Sequence, residues 1–212
     1  MTKYPMDSKD QLHKDEQGTT VDSTRFKSMV GGLRYLVHTR PDIAYVVGVV
    51  SRYMERPTEM HQDAVKRILR YIKGTVNFGL IYTRDGSNNE LTGFSNSDLG
   101  GHLDDRKSTG GVVFYLNESI ITWVSQKQRC VALSSCEAEF MAATAATSFH
   151  GRSKHIDIRY HFIRDCVEKG EIAIRYVRSD LQKAEILIKA LTTVKFERMR
   201  QLMGVRRLDK VV

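Results

Sequence analysis

The sequence lacks a hydrophobic segment long enough to cross a bilayer. Its longest apolar run extends from Ile43 to Val50, whereas a membrane-spanning helix needs about 20 predominantly apolar residues. The first residues contain neither an apolar core nor a small-residue cleavage site, which argues against a secretory signal. No internal repeat or low-complexity tract is visible. We therefore expect an intracellular protein, cytoplasmic or nuclear, without a membrane partner.

Cysteine is scarce, and its spacing suggests neither a zinc site nor a disulfide framework. Cys130, Cys136 and Cys166 form no Cys-x-x-Cys pair, and three is an odd number, so reduced thiols are the favoured interpretation. His155 and His161 are six residues apart, which directs them to well-separated faces of a helix. Surface or packing roles are therefore favoured for them over metal binding.

Positive charge is in excess over negative charge. The 212 residues include 33 lysines and arginines against 25 aspartates and glutamates, a formal net charge of +8. This balance favours a polyanionic partner but does not establish one. With 41% hydrophobic residues, the chain can bury one or two modest cores, so we expect a globular protein.

The first third of the chain has helical periodicity after a polar start. The first ~20 residues carry Pro5 and Gly18 and predict an extended arm. Apolar residues at helical spacing then predict helices over residues 24–39, 42–55 and 59–73. The third helix should bury Met60, Ala64, Ile68 and Ile72. Its opposite face carries Lys66, Arg70 and Lys73, which fits either a solvated surface or nucleic-acid contact.

After Gly74 the apolar pattern changes to period two and then returns to helix. Strands are predicted over residues 78–82 and 91–95 around an Asp85-Gly86 turn, followed by a hairpin of 110–116 and 120–125 around Asn117-Glu118. The remaining predicted elements are helices at 135–147 and 154–168, a strand at 171–177, and helices at 182–191 and 194–203. In the helix at 135–147, Ala138, Met141, Ala142 and Ala145 form a face of small residues. The fold class is α/β, with mixed α and β elements.

Several runs in the right order resemble one family. Gly93-Phe-Ser-Asn-Ser-Asp-Leu-Gly-Gly101 and Leu133-Ser-Ser-Cys-Glu-Ala-Glu-Phe-Met-Ala-Ala143 are similar to two active-site segments of the RNase H domain in copia-type retrotransposon Pol polyproteins. There the first run reads Gly-Tyr-Ser-Asp-Ser-Asp-Trp-Ala-Gly. Runs around Val30 to Tyr45, His61 to Gly79, and Arg106 to Gly110 also resemble the family, as does Gly151 to Arg164.

The resemblance implies two regions. Residues 1–84 would be the helical thumb and connecting region of a reverse transcriptase, and residues 85–212 a truncated RNase H-like domain with a mixed sheet and flanking helices. The polymerase motif Tyr-x-Asp-Asp is absent from the sequence, which excludes DNA synthesis by this chain. A deletion near 147–149 would remove the fourth strand. We expect the strand at 171–177 to pair with 91–95 in its place; otherwise an exposed sheet edge would favour self-association.

The resemblance also implies four acidic metal ligands, of which this sequence keeps few. Asn96 replaces the first aspartate, or Asp98 holds that role if the register differs. Glu139 fits the helical glutamate, the third ligand falls in the deletion, and Glu185 stands where the family has aspartate. Hydrolysis by RNase H requires several carboxylates converging on two divalent ions. Glu139 and Glu185 would bind Mg²⁺ or Mn²⁺ weakly at best, and a cofactor is expected only if activity remains.

Three functions follow from these residues. The favoured one is a degenerate RNase H-like protein without hydrolase activity that retains weak, non-specific binding to RNA or RNA/DNA hybrid. The alternatives are a residual RNase H-type endoribonuclease and a protein-interaction module acting through apolar surface uncovered by the deletion. The residues expected to contact nucleic acid are Lys66, Arg70, Lys73, Arg106, Lys107, Lys127, Arg129, Ser134 and Ser135.

Overall fold

A computed structural model describes residues 2–82, 90–147 and 164–208. The helices are α1 (Ser23–Leu36), α2 (Ala44–Val50), α3 (Glu59–Gly74), α4 (Ser135–Thr147) and α5 (Thr193–Leu202). The strands are β1 (Phe78–Leu80), β2 (Leu91–Ser97), β3 (Thr109–Leu116), β4 (Ser119–Lys127) and β5 (Val205–Arg207). The α/β class predicted from the sequence is confirmed, and every strand pairing in the described residues is antiparallel.

The first helices begin and end close to their predicted positions. Asp22 caps α1 by accepting hydrogen bonds from the backbone N–H groups of Thr24 at 2.8 Å and Arg25 at 3.2 Å. The predicted second helix is divided, because α2 is flanked by the 3-10 helices Pro41–Ile43 and Ser51–Tyr53. The apolar spacing thus identified a helical region but not the tighter turns at its two ends.

The buried face of α3 differs from the predicted one. Ile68 is buried as expected, but its fully buried companions are His61, Val65 and Tyr71. His61 and Tyr71 carry polar atoms and so do not contribute to the apolar pattern, yet each side chain forms a hydrogen bond inside the protein. Because their polar atoms are satisfied, their rings can occupy the core.

The larger sheet has the order β2-β3-β4. The predicted hairpin is confirmed, with Leu116 opposite Ser119 and a two-residue connection in which Asn117 adopts a φ of 54°. An asparagine tolerates this left-handed conformation better than most residues. The register shifts between Phe114 and Tyr115, which is a bulge in the β3–β4 ladder. The helix α4 packs on β2 and β3 from one side.

A second sheet joins distant parts of the chain. The predicted strand at 78–82 forms, but it does not pair with 91–95: β1 pairs with β5, with Phe78 opposite Arg207 and Leu80 opposite Val205. The predicted Asp85-Gly86 turn lies outside the described residues. This pairing cannot be predicted from local patterns, because each strand contributes only three residues and no turn signal connects them.

The predicted strand at 171–177 is wrong. These residues form no strand, and Ile174 and Tyr176 are 62% and 89% exposed, so their alternating pattern buries no face. Among the described strands, β2 pairs only with β3. The side-chain amide of Gln182 donates to the carbonyl of Ser95 at 3.2 Å, and the 3-10 helix Lys183–Leu187 packs against both β2 and β3. Self-association through a sheet edge stays a prediction.

The C-terminal helices were predicted in the right places but with different extents. The predicted helix at 182–191 is the five-residue 3-10 helix Lys183–Leu187, and α5 matches the one predicted at 194–203. The helix predicted at 154–168 lies largely outside the described residues; residues 164–168 are helical, and Gly170 follows with a φ of 72°. His155 and His161 also lie outside the described residues.

One hydrophobic core includes both predicted regions. It contains Phe26 and Ile43 from the N-terminal helices, Val113 from β3, and Leu187 and Phe196 from the C-terminal part. The division into residues 1–84 and 85–212 stays a prediction, but side chains from both regions share this core. Hydrophobic burial therefore stabilises the two regions together.

The N-terminal arm, residues 2–20, is irregular but packs against the helices. Met6 is buried, and the Tyr53 hydroxyl donates to the carbonyl of Leu12 at 2.9 Å. Thr20 forms an isolated antiparallel bridge with Thr58. The polar composition thus predicted correctly that the arm has no regular structure. The buried Met6 and specific hydrogen bonds nevertheless hold the arm in place.

Candidate functional site

The first candidate acid position lies at the end of β2. Asn96 pairs with Gly111 of β3, and its side-chain oxygen accepts from the Ser97 N–H at 2.9 Å. Asp98 follows the strand, and its carboxylate accepts from the Thr109 N–H. Burial raises the pKa of Asp98, while this hydrogen bond and the charge of Arg52 lower it. Asp98 is thus engaged in closing the connection between β2 and β3.

The second candidate acid lies on α4 and points outward. Glu139 is exposed. The neighbouring Glu137 instead turns back toward the helix start, where its carboxylate accepts from the Leu133 N–H at 2.6 Å. Ser134, predicted to contact nucleic acid, accepts from the Glu137 N–H at 3.1 Å. The pair of glutamates therefore divides into one solvent-facing carboxylate and one that stabilises the beginning of the helix.

The last candidate acid is buried and paired with two lysines. Glu185 is only 3% exposed, and its Oε1 lies 2.9 Å from Lys189 Nζ and 2.7 Å from Lys195 Nζ. Its Oε2 has no hydrogen-bond partner. A metal at this carboxylate would have to compete with two ammonium groups already in contact with it.

The candidate acids do not form a recognisable metal centre in the part of the chain that the structure describes. Across residues 2–82, 90–147 and 164–208, no group of three or more His, Cys, Asp or Glu side chains is placed to hold a metal ion. Both α4 and the 3-10 helix Lys183–Leu187 pack beside β2. They lie on opposite faces of the sheet, because a side chain at Gly110 of β3 would face α4, whereas one at the next residue, Gly111, would face Leu187. Of the candidate acids, Asp98 closes a turn and Glu185 pairs with two lysines.

The cations predicted on α3 share an accessible surface. Lys66, Arg70 and Lys73 are all exposed. Lys66 Nζ lies 2.9 Å from the carboxylate of Asp63, and both side chains are largely exposed, so water screens this pair strongly. We call these three residues the α3 basic face. Side chains three and four residues apart on a helix are neighbours, so this face can contact adjacent phosphates.

The cations near the β2–β3 connection are partly neutralised. Lys127 Nζ lies 2.7 Å and Lys107 Nζ 3.8 Å from Asp105 Oδ2. Burial would raise the pKa of Asp105, but the hydrogen bonds and charge of its neighbours, above all Lys127, lower it to about 2. Arg106 and Arg129 are exposed, and so is Ser135 at the start of α4. The two arginines are therefore better placed for phosphate than the two lysines.

Sequence reasoning missed a polar cluster beneath the N-terminal arm. The ring of Tyr53 stacks on His61 with centroids 4.2 Å apart and lies parallel to His102 at 6.3 Å. His102 Nδ1 lies 2.8 Å from Asp105, and burial, together with the charges of Lys127 and Arg52, lowers the pKa of this histidine. No spacing rule predicts such a cluster, because its members come from separate elements.

Several known proteins are similar to this chain. The Retrovirus-related Pol polyprotein from transposon TNT 1-94 of Nicotiana tabacum is 36% identical over 216 residues, covering 84% of this chain and 16% of that protein. The corresponding polyprotein from transposon RE1 of Arabidopsis thaliana is 36% identical over 224 residues, covering 88% and 15%. The chain belongs to the copia-type retrotransposon Pol family. No protein-family model matches it, and no solved structure matches it either.

A third relative is much shorter than the Pol polyproteins. Secreted RxLR effector protein 161 of Plasmopara viticola is 46% identical over 123 residues, covering 58% of this chain and 86% of that protein. The protein of this structure is itself transposon-derived. It spans about one sixth of the length of the two Pol polyproteins named above. No helix in the described ranges is long and apolar enough to cross a membrane.

Proposed function

We propose that this chain binds RNA or RNA/DNA hybrid weakly and without sequence preference, and that it does not hydrolyse the hybrid. The observation that carries the proposal is the contrast between acids and cations. Asp98 and Glu185 are engaged in internal contacts, whereas Arg70 and Lys73 extend into solvent. Phosphate binding needs only such distributed cations, but hydrolysis needs converging carboxylates.

Two features support the absence of hydrolysis. Asn96 offers a neutral amide where a carboxylate would hold the metal, and hard divalent cations prefer charged oxygen ligands. Both lysine contacts of Glu185 are made to Oε1, so a metal bound by both carboxylate oxygens would have to displace the two ammonium groups. Mg²⁺ or Mn²⁺ would enter the function only if enough ligands converged to place the attacking water.

The test of hydrolysis uses a labelled RNA/DNA hybrid with Mg²⁺ or Mn²⁺. We expect no cleavage above background, and we expect Asn96→Asp alone to restore none, because one carboxylate does not complete a two-metal site. Glu139→Ala is the control for contamination by another nuclease. Cleavage by the parent that disappears in this variant would establish a residual ribonuclease and contradict the proposal.

The test of binding uses the α3 basic face. Charge reversal of Lys66, Arg70 and Lys73 together should weaken binding on all sequences alike, and binding by the parent should fall with salt with a log-log slope of about 3 to 5. The matched control reverses three exposed arginines in the C-terminal part, Arg175, Arg178 and Arg198. Equal losses in the two triple variants would show a general charge effect, and no loss in the first would leave α3 as solvated surface.

A further inference from the structure

A fourth cation of α3 is covered by the N-terminal arm. Arg67 lies one turn before Arg70, so the two are neighbours on the helix surface. Its Nη2 lies 3.5 Å from Asp7 Oδ2 and its Nη1 3.5 Å from Asp10 Oδ2. The ring of Tyr4 lies under the guanidinium, 4.8 Å from its central carbon. The arm thus contacts both the charged edge and the flat face of this one side chain.

The arm holds these groups in position through its own hydrogen bonds. The Tyr4 hydroxyl donates to Asp7 Oδ2 at 3.0 Å, the Lys9 N–H donates to Asp7 Oδ1 at 3.1 Å, and the Asp7 N–H donates to Asp10 Oδ2 at 3.2 Å. The bonds from Lys9 and then from Tyr4 lower the pKa of Asp7, because they favour the ionised carboxylate. Two carboxylates therefore face Arg67 in a preformed arrangement.

The rest of the arm is attached to the same side of the protein. The Lys14 N–H donates to Asp104 at 3.0 Å, and the Thr58 hydroxyl donates to Asp15 at 2.7 Å. These contacts lie after Asp10 in the chain, and the buried Met6 holds the arm just before Asp7. The carboxylates of Asp7 and Asp10 can therefore turn away from Arg67 while the arm stays anchored on both sides of them. The ion pairs themselves are weak, since the side chains of Asp7 and Asp10 remain 33% and 45% exposed.

We propose that the N-terminal arm is an intramolecular cover that competes with nucleic acid for the basic surface of α3. The inference rests on the proposed function and concerns the regulation of that same surface. Asp7 and Asp10 present two carboxylate oxygens to the guanidinium fork of Arg67, as the two oxygens of one phosphate would. If a phosphate displaced these two carboxylates, Arg67 would become available beside Arg70. The α3 basic face would then gain one phosphate contact.

The experiment measures the affinity for a fluorescent RNA/DNA hybrid as a function of salt. Asp7→Asn with Asp10→Asn keeps the shape of the arm and removes its charge. We expect binding tighter by about 3- to 10-fold, with the log-log slope steeper by about 1 for the added phosphate contact. The matched control, Glu168→Gln with Asp180→Asn, removes the same charge from two other carboxylates, which together form three surface ion pairs. It should change affinity less and leave the slope unaltered.

A second variant assigns the gain to Arg67 itself. Arg67→Gln should change the affinity of the parent little, because the arm occupies that side chain, but it should remove the gain in the Asp7/Asp10 double variant. An equal gain in affinity in the Asp7/Asp10 double variant and in the Glu168/Asp180 control would overturn the proposed cover. An equal effect of Arg67→Gln in the parent and in the Asp7/Asp10 double variant would also overturn it. Thermal unfolding of each variant checks that it is folded.

The two proposals fail in different ways. If the parent binds and loses affinity on reversal of the α3 basic face, but removal of the Asp7 and Asp10 charges acts like the control, then only the cover is wrong. If neither the parent nor the double variant binds hybrid at low salt, the proposed function is wrong and the cover falls with it. Binding by the double variant alone would support both.

Discussion

His61 fixes the start of α3 with its side chain. Its Nδ1 accepts from the backbone N–H of Thr58 at 3.0 Å, and its Nε2 lies 2.8 Å from the carbonyl of His13. These contacts require a neutral ring with the proton on Nε2. His61 thus takes the position of the glutamate or glutamine in a capping box. Its contact with the His13 carbonyl also attaches the arm to the helix.

Protonation of His61 should therefore destabilise the protein. Burial lowers the pKa of His61 below its ordinary value of 6.5, so the unfolded chain binds the proton more readily than the folded one. The free energy of unfolding should be maintained above pH 6.5 and decrease as the pH falls below it, by up to about 1.4 kcal/mol per pH unit for one proton. Urea unfolding between pH 8 and pH 5 measures this slope.

His61→Gln is the matched variant, because glutamine can accept the same backbone hydrogen bond without titrating. It should lose stability at pH 8 through the missing stack on Tyr53, but its slope below pH 6.5 should be shallower. Other groups act on His61 in both directions: the hydrogen bond to the His13 carbonyl and the charges of Asp15 and Asp104 raise its pKa, whereas the charge of His13 lowers it. Identical slopes in the two proteins would show that His61 stays neutral throughout.

At the residue scale, sequence reasoning located positions better than contacts. The placement of Asn96 at the end of β2 and of Glu139 on α4 agrees with the expected elements. The pairing of Glu185 with Lys195 and the use of Asp98 in a turn could not be inferred, because both depend on how distant segments pack. Spacing along one element predicts faces, not partners on another element.

At the scale of elements, the 3-10 helix Lys183–Leu187 packs unusually close to β3. A Cβ at Gly111 would lie 2.7 Å from Leu187 Cβ, 2.8 Å from Ile188 Cγ2 and 3.0 Å from the carbonyl of Ala184. The absence of a side chain at Gly111 is thus what permits the contact. It brings the segment containing Glu185 against the sheet beside β2.

Gly111→Ala should separate these two elements. We expect a loss of about 1–3 kcal/mol in the free energy of unfolding, because the Leu187 Cβ and the backbone carbonyl of Ala184 would have to move away from the new methyl group. Gly32→Ala is the matched control, since α1 leaves open space around Gly32. That substitution should stabilise by about 0.5–1 kcal/mol through helix propensity. Denaturant unfolding of both variants measures these changes in the free energy of unfolding. A Gly111→Ala protein as stable as the parent would contradict the close packing of the 3-10 helix on β3.

Elements with strong local signals were predicted well, and those held by tertiary contacts were not. Apolar spacing located α1 and α3, and Asn117-Glu118 located the β3–β4 hairpin. The alternation at 171–177 resembled a strand, but a strand needs a neighbour and a buried face, which this segment lacks in the described structure. Local propensity alone cannot supply either.

At the scale of the whole molecule, a buried polar network joins the N-terminal helices to α5. The Tyr71 hydroxyl donates to Asp42 at 2.6 Å, and Asp42 also forms a buried ion pair with Arg40 at 2.8 Å. Arg200 of α5 donates to the Tyr71 oxygen at 3.2 Å, and Phe196 meets the Tyr71 ring edge-on. The network joins groups from both ends of the chain, and Arg200 Nε is its one buried nitrogen without a hydrogen-bond partner in the described structure.

Tyr71→Phe should weaken the whole protein rather than one region. Removing the hydroxyl leaves Asp42 and Arg200 each short of a buried hydrogen bond, for which we expect a loss of about 1–3 kcal/mol. Trp123, the single tryptophan, donates from its indole N–H to the carbonyl of Val37 at 3.0 Å, so its fluorescence reports on contact between β4 and the end of α1. Fluorescence and far-UV circular dichroism should show coincident transitions in parent and variant. Two separated transitions would indicate independent domains.

The pairing of β1 with β5 has a consequence for synthesis on the ribosome. Residues 78–80 find their strand partner only at residues 205–207, and Tyr71 awaits Phe196 and Arg200 in the same way. The N-terminal helices therefore emerge with part of their apolar surface uncovered while more than a hundred further residues are translated. We therefore expect the core to be completed only when the C-terminal part has left the ribosome, and the uncovered apolar surface to be accessible to chaperones until then.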